Sequence, residues 1–129
     1  MGERDIDGWL TRYERAWRTP GTDLLDELFA DDVTYRPAPW ADPVVGLAAL
    51  RRFWEASRTG PDEGFAMATE VVAEQDGTSV VRVHVGYDDG QRWRDLWIVE
   101  RDEQGRCHHF EEWPFQPGQP DGHEDDPKP

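Results

Sequence analysis

The residues with the most chemistry to offer lie on one short stretch, Arg92-Trp93-Arg94-Asp95-Leu96-Trp97-Ile98-Val99. In a strand successive side chains alternate between faces, so Trp93, Asp95, Trp97 and Val99 share one face and Arg92, Arg94, Leu96 and Ile98 the other. A carboxylate flanked by two indoles is poorly hydrated, and desolvation raises its pKa unless a cation or donors hold the anion. Asp95 is therefore a candidate general base for use near neutral pH. The structural role open to it is an ion pair that orients an Arg or Tyr13. The partner of Asp95 depends on the turn at Asp89-Gly90. A two-residue type I′ turn, which the Asp-Gly pair favours, sets His84 opposite Asp95 and Arg82 opposite Trp97. His84 and Asp95 then form an acid/base pair, with Arg82 as a charge partner or oxyanion clamp. A three-residue loop over Asp88, Asp89 and Gly90 slips the register by one and turns Arg82 and His84 away. Val81, Val83 and Val85 then serve as core.

Other polar groups offer less. Phe110 and Glu112 share a face of the last apolar stretch, making Glu112 a second carboxylate for a site or the partner of an Arg at its rim. His108-His109 with Glu111-Glu112 has the composition of a metal cluster. Adjacent strand residues point in opposite directions, so the four do not converge on one ion and no metal is expected. Cys107 is the one cysteine, which excludes an internal disulfide, and it reads as an inert packed thiol. No Gly-rich phosphate loop is present, and no cofactor is expected.

The elements that must position these groups can be read from spacing. The chain has 129 residues, one domain's worth. Ile6, Trp9, Leu10, Tyr13, Ala16 and Trp17 form one helical stripe that stops at Pro20-Gly21. Thr22 can cap a second helix carrying Leu24, Leu25, Leu28 and Phe29, followed by a turn at Asp31-Asp32 and a short strand over 33–36. Prolines 37, 39 and 43 hold an extended loop around Trp40, and a third helix runs from about Leu47 to Ser57. Strands follow over 63–75, 78–87, 92–101 and 106–113. This predicts an α+β domain over 1–115, with three helices on a curved, mostly antiparallel sheet. The Pro/Gly/Asp-rich segment 116–129 reads as a disordered tail.

Composition sets the classes. Formal net charge is -14, from 14 basic and 28 acidic residues, which argues against nucleic acid and anionic membrane surfaces as partners. No signal peptide or membrane span is legible, so a cytoplasmic protein is expected. Seven Trp in so acidic a chain imply a polar exterior around large rings, which either fill a core or wall a site for flat apolar molecules.

Tyr13, the run Leu28-Phe29-Ala30-Asp31-Asp32-Val33-Thr34, Gly46 and Phe53-Trp54 resemble the SnoaL-like and ketosteroid isomerase members of the nuclear transport factor 2-like superfamily. The stretches 94–99, 102–106 and 110–113 resemble the final hairpin of SnoaL-like proteins. The resemblance implies a cone-shaped α+β barrel, with Trp93, Asp95, Trp97, Phe110 and Glu112 facing the cone. It also implies a homodimer through the convex face around Leu96 and Ile98. Tyr13 falls where the isomerases place an oxyanion-hole tyrosine. Pro37 falls where they place their Asp base, so a steroid isomerase of the usual kind is not expected. Trp97 falls near their second oxyanion donor, and Trp54 where a supporting Tyr stands.

The function expected is a cofactor-independent isomerase/cyclase or hydratase/dehydratase. Its substrate is a small apolar ring compound of polyketide, terpenoid or steroid type. Asp95 is the base, His84 its partner and Tyr13 the oxyanion donor, with Trp40, Trp54, Trp93, Trp97 and Phe110 as walls beside Arg82 and Glu112. The alternative is a non-catalytic ligand-binding or dimerisation module that has lost the acid/base pair.

Overall fold

The computed structural model describes residues 6–57, 64–120 and 123. Helix α1 (Ile6–Arg18) buries Ile6, Trp9, Leu10, Tyr13 and Ala16, the stripe expected from its spacing. The next helix is shorter than expected. Helix α2 (Leu25–Leu28) is one turn, its N-cap is Leu24, and no side chain caps it. Thr22 instead offers its backbone carbonyl, which accepts from Leu25 N at 3.2 Å and from Arg51 Nη1 at 2.9 Å. Strand β1 (Phe29–Arg36) takes in Phe29 and the Asp31-Asp32 pair that the sequence suggested as helix end and turn. Both Asp are exposed at an irregularity in the pairing between Phe29 and Thr34. The buried β-branched and aromatic residues on either side carry the strand through it.

A two-residue strand, β2 (Val44–Val45), precedes helix α3 (Leu47–Ser57), whose limits match the expected ones. Strands β3 (Phe65–Gln75), β4 (Thr78–Tyr87), β5 (Arg92–Arg101) and β6 (Cys107–Phe115) complete the chain. Glu63, expected to begin β3, lies outside the described residues, as does most of the expected tail beyond Pro120. The strands form one six-stranded sheet in the order β2-β1-β6-β5-β4-β3. Only β1 and β6 run parallel; every other neighbouring pair is antiparallel. The sheet is curved and unclosed, and the helices pack in its concave face, so the fold is the expected α+β cone. Among the described residues no helix is long and apolar enough to cross a membrane.

Two Asp-Gly pairs make two different turns. Between β3 and β4, Asp76 (φ 54°) and Gly77 (φ 85°) form a two-residue loop that joins the paired Gln75 and Thr78. A Cβ at Gly77 would stand 3.0 Å from the Arg101 carbonyl. Gly77→Ala is accordingly expected to lower stability by about 1–3 kcal/mol, read as a shifted urea midpoint at unchanged slope. Between β4 and β5, Gly90 N donates to Tyr87 O at 3.0 Å and Tyr87 N to Gln91 O at 2.9 Å. Asp88, Asp89 and Gly90 thus form a three-residue loop, with Gly90 at φ 98° as its left-handed residue.

This turn settles the register against the one that Asp-Gly favoured. Val83 pairs with Asp95 and His84 with Arg94. Burial is the reason: Val81 and Val83 are fully enclosed, and the alternative register would put them in water in exchange for Arg82 and His84.

Candidate functional site

The concave face of the sheet is a ladder of cross-strand rows. At its base Val99, Phe110 and Tyr35 lie side by side, and the next row is Val81, Trp97 and Glu112. Above it come Val83, Asp95 and Pro114, then Met67, Val85 and Trp93. Phe65 and Tyr87 pair at the rim. Helix α1 lowers Tyr13 and Trp17 onto this face, and α3 adds Phe53, Trp54 and Ser57. Between helices and sheet lies a cavity of about 310 Å³.

The two carboxyls are set by register: Glu112 opposes Trp97, and Asp95 stands one inward position further along β5. Trp97 Nε1 donates to Asp95 Oδ2 at 3.2 Å, while Oδ1 is buried without a hydrogen-bond partner. Burial raises the Asp95 carboxyl above its ordinary range, and donation from Glu112 and Trp97 opposes that rise. Glu112 is pushed up further, first by burial and then by the neighbouring Asp95. Like charges this close do not both ionise cheaply, so of the two carboxyls Glu112 holds a proton the more firmly and Asp95 gives one up the more readily.

Two phenols complete the floor. Tyr13 and Tyr35 hydrogen-bond each other, and burial lifts both well above the usual phenol range, so they stay neutral donors. Tyr35 Oη is 3.5 Å from Glu112 Oε1. The Tyr13 ring lies 4.6 Å from that of Trp97, and Tyr35 stacks on Phe110 at 4.7 Å. Trp54 lines the cavity with a buried Nε1 that has no partner. At the rim Trp93 Nε1 donates to Gln91 Oε1 at 3.3 Å.

Of the residues expected here, Asp95, Tyr13, Glu112, Trp54, Trp93 and Trp97 come together around the cavity. Four do not. Arg82 and His84 stand exposed on the opposite face of the sheet, with Arg82 bound to Glu70 at 2.8 Å. The three-residue turn put them there. Trp40 is 98% exposed on its loop and walls nothing, because the prolines and the Arg36 Nη1 bond to Ala41 O at 2.6 Å hold that loop away. Phe110 is fully buried beneath Tyr35 and Tyr13 and supports the floor without reaching the cavity. Arg82→Ala and His84→Ala are expected to leave ligand binding in the cavity unchanged and stability within about 0.5 kcal/mol, by titration and thermal melting.

Tyr35 was missed. Alternation over 33–36 gives Val33 and Tyr35 a common inward face, but nothing local says that it meets Tyr13. His109 pairs with Glu111 at 3.4 Å while His108 is exposed, so the His/Glu run does not converge. Cys107 donates to His109 O at 3.2 Å, and burial lifts its thiol to about 12.

Comparison with known proteins places this geometry. Residues 10–110 match the family model of the SnoaL-like domain. No curated protein sequence matches the chain. Among solved structures, the epoxide hydrolase/cyclase-like enzyme SalBIII, of pyran ring formation in the polyether salinomycin, superposes with a TM-score of 0.65 at 13% identity. That match covers 87% of this chain and 94% of SalBIII. A candidate ketosteroid isomerase from Parabacteroides distasonis superposes with a TM-score of 0.60 at 18% identity, covering 84% of this chain and 86% of that one. At these identities the likeness speaks for the fold.

Proposed function

The chain belongs to the SnoaL-like domain family, and on that premise we propose that it is a cofactor-independent proton-transfer enzyme of the isomerase/cyclase type. Its substrate is a ring-sized, largely apolar molecule. The observation that carries this reading is the Asp95–Glu112 pair, two carboxyls that line one aromatic cavity and are both raised by burial, Glu112 the further. Asp95 takes a proton from a substrate C–H or O–H. Glu112 or Tyr13 donates to the oxygen on which charge develops. The proton on Asp95 then returns to a different substrate atom, so the protein ends as it began. Ring closure by a hydroxyl needs the same pair, a base on the attacking oxygen and an acid on the leaving one. The cavity is at the small end for ligand sites, which fits one or two fused rings.

The outer sheet face carries Leu96, Ile98 and the exposed Trp113 and Phe115, and it is the proposed homodimer surface. The test of the catalytic reading is deuterium exchange at the carbons beside the carbonyl of cyclohexanone, followed by NMR in D2O. Exchange faster than in buffer supports it. Exchange no faster than in buffer identifies a binding module instead.

A further inference from the structure

We propose that the molecule bound in the Asp95 cavity is an organic cation, an amine or quaternary ammonium on a ring-sized apolar body, with its charge seated against Asp95. This deepens the reading of the cavity as a ligand site and rests on it. The lining is composed for such a guest. Nine of its sixteen residues are aromatic: Tyr13, Trp17, Tyr35, Phe53, Trp54, Phe65, Tyr87, Trp93 and Trp97. Its only carboxyls are Asp95 and Glu112, and no Arg, Lys or His lines it among the described residues. Asp95 is 7% exposed, and its Oδ1 has no hydrogen-bond partner.

Buried charges are ordinarily paired, because desolvation of a lone ion is costly. The basic residues around Asp95 on β4 and β5 are not available for this, since Arg82, His84 and Arg94 all stand on the far side of the sheet. A neutral guest leaves an ionised Asp95 with only the donors Glu112 and Trp97 and no opposite charge, and an anionic guest adds a second like charge. A cationic guest neutralises it and meets the negative faces of the surrounding rings. A net charge of -14 also steers cations toward the mouth and turns anions away.

The test uses the full chain and three probes that share one ring. Benzyltrimethylammonium, benzyl alcohol and benzoate are titrated at neutral pH, with tryptophan fluorescence as the readout. The cation is expected to bind at least about tenfold more tightly than the alcohol, and benzoate more weakly than either. High salt should narrow the difference. Asp95→Asn should remove the cation's advantage while benzyl alcohol still binds. The N-methyl protons of the bound cation should shift upfield in NMR spectra, as they do over ring faces and not at a charged surface. Equal or tighter binding of the alcohol, an advantage that persists in Asp95→Asn, or unshifted methyl signals would each overturn the proposal. Alcohol binding and cyclohexanone exchange report on the cavity separately, so they survive if only the charge preference is wrong. Absence of binding by all three probes sinks the cavity reading and this proposal together.

Discussion

Asp95→Asn is expected to slow cyclohexanone exchange about 10²–10⁴-fold, the usual contribution of a positioned general base. The same substitution is expected to leave the protein at least as stable at neutral pH. Both effects have one origin. Burial raises the Asp95 and Glu112 carboxyls in the folded state above their unfolded range. The folded protein therefore binds these protons more tightly than the unfolded chain does. Their contribution to stability is full below the unfolded carboxylate range and is lost as pH rises through the folded pKa values. Asn has no such dependence and can still accept from Trp97 Nε1. Melting temperatures of the two proteins should converge near pH 3–4 and separate toward pH 7, with the variant favoured by up to about 1–3 kcal/mol, the scale for a buried polar group without a partner. A variant that loses stability at neutral pH would mean that the fold compensates the Asp95 charge. A variant that keeps full exchange would remove Asp95 as the base.

Trp9→Ala is expected to cost about 3–5 kcal/mol, against a total of 5–15 for a typical domain. Trp9 has no exposed surface and makes ring contacts with Tyr13 at 5.6 Å, Phe29 at 5.8 Å and Phe110 at 6.2 Å. Its Nε1 donates to Leu28 O at 3.0 Å, so truncation opens a void and removes a buried hydrogen bond to that carbonyl. A fall in melting temperature of about 10–20 °C should follow. Trp9→Phe keeps most of the packing and loses the hydrogen bond, and should cost about 1–2 kcal/mol. Equal losses for the two variants would show that the hydrogen bond outweighs the packing. Because Tyr13 rests on Trp9, probe binding should weaken in Trp9→Ala before the protein unfolds.

Much of this architecture is legible in the amino-acid order. The stripe from Ile6 to Trp17, the limits of the third helix and the strands over 78–87 and 92–101 follow from apolar period and from Gly and Pro, which act within a few residues. The placement of Asp95 between Trp93 and Trp97 on one face follows from alternation alone. Local signals also mislead where two of them compete. Thr22 has the chemistry of a cap, but the β-branched and aromatic residues after Leu28 draw the chain into a strand one turn later. Trp40 has the composition of a pocket wall, yet proline geometry holds it in water.

What the chain order determined by itself is the set of elements and the face each side chain shares with its neighbours two positions away. What only the tertiary structure decided is which faces meet. The choice of a three-residue loop at Asp89-Gly90 runs against the local preference of the Asp-Gly pair. It is made by burying Val81 and Val83 against helices far away in sequence. That single slip removed Arg82 and His84 from the cavity and left Asp95 beside Glu112, with no Arg, Lys or His among the described residues of the lining. The approach of Tyr35 to Tyr13 is of the same kind. It depends on a parallel pairing of β1 with β6 and on the seating of α1, neither of which any local pattern encodes.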